Sequence, residues 1–241
     1  MEFTYAGYGD MLDLLKENKY NFSDYANHKN YKKCVILRHD VDFSLEKALT
    51  LAKYENSNNV KSTYFILLST NFYNVFSEES TEILKNILNL GHNIGLHFDE
   101  KKYEIRDVDC LQFYVNKESH ILKEVLDQEI EVVSMHRPSK WILENDIKFD
   151  KITNSYSNYF FSEFKYLSDS RMFWREDVLE IIAKNSYDRL HILTHPFWYS
   201  EKVESLNYKL LQFINDSKAQ RYNNINNNFK NLGEVLTLEK I

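Results

Sequence analysis

Short apolar runs alternate along this chain with longer stretches whose apolar residues recur every three or four positions. That alternation limits the fold more than any other feature. Lys33 to Arg38, Ser62 to Leu68, Asn93 to Phe98, Ile130 to Met135 and Arg189 to Thr194 read as buried strands. Between them, helical spacing places Met11, Leu12, Leu14 and Leu15 on one face of 8–18, and Leu45, Ala48, Leu49 and Ala52 behind a Ser44 cap. Ile83, Leu84, Ile87 and Leu88 follow a Ser80 cap and stop at Gly91. Leu111, Val115, Leu122, Val125 and Leu126 face inward from 109–127, and a last helix is expected near 201–216. Strands separated by helices of this length predict an α/β fold with a mostly parallel sheet, and at least five strands in one run favour a barrel. Segment 139–188 shows no clear period. No repeat and no linker stands out, so 1–241 reads as a single domain.

Composition removes several classes. Net charge is −6, which disfavours nucleic acid as a partner. No run approaches the ~20 apolar residues of a membrane span. The N-terminus shows no secretory pattern, and Cys34 and Cys110 form no metal-binding spacing. A cytoplasmic protein with two free core thiols is the expectation.

In parallel α/β folds, chemistry collects where strands run out. Here the strand ends read Arg38-His-Asp-Val-Asp42, His97-Phe-Asp99, Met135-His-Arg-Pro138 and Thr194-His-Pro196. Both prolines follow such ends and hold Arg137 and His195 extended. Strand parity puts Arg38, Asp40 and Asp42 on one face, the two carboxylates ~6–7 Å apart, with His39 opposite. His92 begins its strand and reads as structural, and His191 lies deeper than His195 and reads as core. Taken singly, each polar residue has an ordinary alternative: turn carboxylates for Asp40 and Asp42, hydrogen-bonded core imidazoles for His97, His136 and His195. Their joint placement argues against it.

In order along the chain, Leu37-Arg-His-Asp-Val-Asp42, Ser62-Thr-Tyr-Phe-Ile66, Gly91-His-Asn-Ile-Gly-Leu-His97, His136-Arg-Pro-Ser139, Ser168-Asp-Ser-Arg-Met-Phe-Trp174 and Leu193-Thr-His-Pro196 resemble the motifs of the polysaccharide deacetylases with the NodB-homology domain, carbohydrate esterase family 4, in an Asp-x-Asp variant. The resemblance covers about 33–200 and implies a distorted (β/α) barrel. It also implies Asp40 as catalytic base, His195 as general acid, Arg137 orienting the base and Asp169 pairing with Arg137. Asp42 and His97 would be metal ligands, and Trp174 would wall the pocket, with Trp198 a second candidate for sugar contact. One position departs from the family: Lys101 stands four residues after His97, where a second histidine is usual. The third ligand is then His136, from the next strand, or Asp99.

These residue types suit removal of an N-acetyl group. A divalent ion lowers the pKa of water and polarises a carbonyl, an unliganded carboxylate takes the water proton, and a histidine protonates the leaving amine. Asp/His ligation favours Zn²⁺ and leaves other first-row ions and a metal-free site open. The expected substrate is an N-acetylated sugar or sugar conjugate, a precursor of a surface polysaccharide. The rival readings are a non-catalytic carbohydrate-binding relative, a metal-free amidase and a DxD glycosyltransferase.

Overall fold

A computed structural model describes residues 1–240. Eight strands run in chain order: β1 (Asn21–Ser23), β2 (Cys34–Val41), β3 (Thr63–Leu67), β4 (Asn93–Phe98), β5 (Val132–Met135), β6 (Thr153–Asn154), β7 (Lys165–Ser168) and β8 (Arg189–Thr194). They form one sheet in the order β6-β5-β4-β3-β2-β8-β7, with β1 against the first half of β2, and every pairing is parallel. No ladder joins β6 to β7 among the described residues, so the fold is an open, distorted (β/α) barrel. Parallel pairing needs crossovers. These are supplied by α2 (Leu45–Ser57), α3 (Glu78–Asn89), α4 (Val108–Leu126) and α7 (Val178–Lys184), with α1 (Tyr5–Glu17) ahead of the sheet and short α5 (Lys140–Glu144) and α6 (Tyr159–Ser162) beyond β5.

Local chemistry sets the helix ends. The Ser44 hydroxyl accepts the Lys47 N–H at 3.1 Å, and Asp107 accepts that of Cys110 at 2.7 Å. The cap of α3 is Ser77 rather than the expected Ser80, which lies inside the helix and donates its own N–H to the Ser77 hydroxyl. Gly91, at φ +87°, turns the chain out of α3 in a region that favours glycine.

Alternation along the strands builds two apolar layers. Val41, Tyr64, Ile66, Ile94, Leu96, Phe98, Val133 and Met135 face outward and pack with Ala48, Ala52, Leu84, Ile87, Leu111, Val115 and Leu122 of the helices. Cys34, Ile36, Phe65 and Val132 face inward, where Tyr25, Phe160 and Phe164 plug the lower barrel. Fully burying one such side chain contributes about 1.5–3 kcal/mol. The inward face carries the site, because Arg38, Asp40, His97, Ser134 and His195 follow the same parity.

Two compact units are present. The first, Met1–Glu201, holds the sheet and every motif residue. The second begins at Lys202 and contains α8 (Leu206–Asn226) and α9 (Leu232–Val235). The helix expected near 201–216 is therefore later and longer. No described helix is long and apolar enough to cross a membrane.

Candidate metal centre and hydrolytic site

Asp42, His97 and His136 leave β2, β4 and β5 at the same rim. Their donor atoms form a nearly equilateral triangle: Asp42 Oδ1 lies 3.2 Å from His97 Nε2 and 3.1 Å from His136 Nδ1, and the two nitrogens are 3.1 Å apart. Ligands about 2.0–2.1 Å from a tetrahedral zinc stand about 3.3 Å from one another. Asp42 Oδ1 is buried and makes no hydrogen bond of acceptable geometry despite these two neighbours. Three potential ligand atoms this close together, one of them a buried carboxylate oxygen without a hydrogen bond, fit a cation. His97 Nδ1 sits 3.3 Å from the Ser134 carbonyl, which holds its N–H and leaves Nε2 free to ligate. His136 is thus the residue placed as third donor. Asp99 is turned away: its Oδ1 accepts the Lys101 N–H at 3.2 Å and its Oδ2 accepts from Arg137.

Asp40 lies beside this triangle, Oδ2 at 3.6 Å from His97 Nε2. The expectation that Arg137 orients it does not hold. Arg137 follows β5 on the outer side of the loop, is 54% exposed and pairs with Asp99. Arg38 takes the role instead. Its Nε and Nη2 donate to the two Asp40 oxygens at 3.0 and 2.8 Å, a bidentate pair. Arg38 is fully buried, held by Ser155 at 3.3 Å and by Ser134, between the Phe65 and Tyr156 rings. Burial works against charge on Asp40, and Arg38 with His97 outweighs it, keeping the carboxyl below its ordinary value. The signal was present in the sequence: residues i and i+2 of one strand share a face.

On the other side, His195 Nε2 lies 3.9 Å from Asp42 Oδ2. Asp169 was expected to pair with Arg137. It instead accepts from His195 Nδ1 at 2.6 Å, from the His195 backbone N–H at 3.0 Å and from the Tyr199 hydroxyl at 3.2 Å. The reason is topological, since β7 and β8 are neighbours, Ser168 stands opposite Leu193, and Asp169 follows it with its N–H donated to the Leu193 carbonyl. Burial opposes the imidazolium, yet Asp169, Asp42 and Asp40 together push His195 up to about 9. Positive charge added at Asp42 would lower it again. Trp198 is buried with its ring 6.2 Å from that of His195, and Trp174 is half-buried in the loop after β7. Both indole nitrogens are buried without a hydrogen-bond partner.

Glu55 was not anticipated. This fully buried carboxylate on α2 accepts from Tyr8 at 2.6 Å, Ser62 at 2.6 Å and Tyr64 at 2.7 Å, and sits 3.0 Å from His39 Nε2. Burial opposes its charge, and His39, His92 and the Ser62 hydroxyl bring it down to about 2. His92 is structural as expected, its Nε2 2.9 Å from the Ala52 carbonyl. His191 is buried against Tyr25, whose hydroxyl lies 2.8 Å from Nε2.

No protein-family model matches the sequence, and no curated protein matches it. Solved structures do. A CE4 family pseudoenzyme from Bacillus anthracis aligns at 16% identity over 78% of this chain and 63% of its own, with a TM-score of 0.46. The family 4 acetyl xylan esterase of Clostridium thermocellum, solved with a cobalt ion, aligns at 14% identity over 77% of this chain and 84% of its own, TM-score 0.41. The peptidoglycan deacetylase PdaC of Bacillus subtilis aligns at 12% identity over 80% and 96%, TM-score 0.44. The chain spans less than two thirds of the length of the B. anthracis protein.

Proposed function

We propose that this chain is a metal-dependent hydrolase that removes an N-acetyl group from an amino sugar. One observation carries the reading: a three-donor triangle flanked on one side by a carboxylate held charged and on the other by a histidine–aspartate pair. Asp42, His97 and His136 would hold the ion. One carboxylate with two imidazoles suits zinc and its first-row neighbours better than magnesium or calcium. Bound there, a divalent ion supplies Lewis acidity toward the amide carbonyl and makes water acidic.

The protein's own groups do the rest. Asp40 is fixed by two hydrogen bonds from Arg38 and stands next to the donor triangle, so it accepts the proton of an attacking water. Asp169 holds the Nδ1–H of His195 and favours its charged form, so Nε2 is the atom that presents a proton to the departing amine. Trp198, packed beside His195, walls that side of the site.

The substrate class is an N-acetylated sugar or sugar conjugate, a surface-polysaccharide precursor. The cytoplasm is the proposed compartment, and two free cysteines fit a reducing setting. The test is acetate release from N-acetylated amino sugars by chelator-treated protein, with and without added Zn²⁺ or Co²⁺. Restoration by metal is the expected result. No acetate from any acetylated sugar under any metal would end the proposal.

A further inference from the structure

A cavity lies between the segments that follow β4 and β5, the strands that carry His97 and lead into His136, and neither metal ligation nor proton transfer uses it. Its volume is about 380 Å³, and Lys101, Tyr103, Arg106, Ser139 and Trp141 line it together with Glu100. One wall is the turn after β4, which begins two residues past His97. The other is the loop after β5, which leaves from His136. Two latches fix these walls to each other: the Glu100 carboxylate accepts the Ser139 N–H, and Arg137 pairs with Asp99. Tyr103 is held from two sides, its hydroxyl donating to Glu118 at 2.6 Å and its ring stacked on Phe98 and Tyr114.

Two cations in this cavity lack strong partners. No carboxylate stands within ion-pair distance of Lys101 among the described residues. Arg106 has only Glu104, at 3.7 Å, with both side chains largely in solvent, a contact of little strength. Trp141 presents indole surface to solvent. The one carboxylate in the lining, Glu100, is buried and occupied by a backbone donor. A chain of net charge −6 therefore places an unpaired lysine, a weakly paired arginine and an exposed indole on the segments that follow His97 and His136. An indole offers a face to a sugar ring, while an ammonium and a guanidinium recognise oxyanions.

We infer that this cavity is a subsite for an anionic group on the sugar substrate, a phosphate or a carboxylate, bound by Lys101 and Arg106 with the sugar ring against Trp141. The inference rests on the deacetylase reading for the word substrate, and it gives Lys101 a role that its departure from the family pattern leaves open.

The experiment is calorimetric titration of the full chain with N-acetylglucosamine, N-acetylglucosamine 6-phosphate and N-acetylmuramic acid. At least one anionic sugar should bind about tenfold or more tightly than the neutral one. Preference for the phosphate or for the carboxylate identifies the source of the charge. The Lys101→Ala/Arg106→Ala double variant should bring all three level and leave N-acetylglucosamine binding unchanged. Equal affinities in the wild type overturn the inference. So does a preference that survives in the double variant, as direct anion binding to a metal would produce. Acetate assays on the same samples separate the two claims: release without anionic preference removes only the subsite, and preference without release removes only the hydrolase.

Discussion

Arg38 and Asp40 show how far two side chains on one strand decide the character of the site. Each is buried, so each depends on the other. Arg38→Met would leave the Asp40 carboxylate without its counter-charge in a dry setting, at a cost of about 3–5 kcal/mol read by urea denaturation. Arg137→Ala removes a half-exposed ion pair and should cost about 1 kcal/mol or less in the same measurement. If Arg137→Ala were the more damaging of the two, the assignment of counter-charge would be reversed. Asp40→Asn should lower acetate release by roughly 10²–10⁴-fold while metal content stays at the wild-type level. Asp42→Asn should lose the metal itself, as plasma mass spectrometry of the purified variant would show. Strand ends and parity brought Asp42, His97 and His136 toward one rim, whereas the ligand roles of Asp42 and His97 came from the family resemblance and the third ligand stayed open between His136 and Asp99. The partner of Arg137 was not legible. A motif position fixes where a side chain starts, and the neighbour it reaches depends on the loop, which turns Arg137 outward to Asp99.

Glu55 acts at the level of elements. Its oxygens join α1 through Tyr8, α2 through its own backbone, β2 through His39, and β3 through Tyr64 with Ser62 just ahead of it. The folded-state pKa of about 2 lies below the unfolded value near 4.5. Stability from this group is therefore complete above about pH 4.5 and is lost as pH falls toward 2. Thermal unfolding followed from pH 6 to 2 should show a loss of up to about 3 kcal/mol, and Glu55→Gln should flatten that slope. An unchanged slope in the variant would remove Glu55 as its source. Gly95 is a second element-level constraint. A Cβ there would stand 2.7 Å from Phe65 and 2.9 Å from Val132, both in the lower barrel core. Gly95→Ala should lower stability by about 1–3 kcal/mol, visible as a fall in Tm. Long elements were readable in the sequence: β4 and β8 begin and end where their apolar runs do. Segment 139–188 was not, because its α5, β6, α6 and β7 span only five, two, four and four residues. Periodicity needs a longer window than that.

For the whole molecule, parallel pairing is what gathers the chemistry. Every strand points the same way, so residues separated by more than a hundred positions finish at one rim, as Asp42 and His195 do. The sheet's open path from β6 to β7 leaves Asp169 and His195 on neighbouring strands near one edge, where they pair without crossing the barrel. All of these residues belong to Met1–Glu201. A chain truncated after Glu201 should keep the metal stoichiometry of the full chain, and loss of the ion on truncation would show that the centre needs more than the first unit. The overall α/β order was legible because strand and helix periods differ so plainly. The separate tail unit was not, since its α8 follows the preceding residues without a change in composition that marks a boundary.

The bidentate pair along β2 has one more implication. A carboxylate and its neutralising guanidinium usually come from distant segments, so that transplanting one strands the other. Here both travel in residues 34–42, together with Asp42, while the Ser134 and Ser155 hydroxyls and the Phe65 and Tyr156 rings around Arg38 come from other segments. The charge balance of Asp40 is therefore set within one strand and does not depend on Arg137 in the loop after β5.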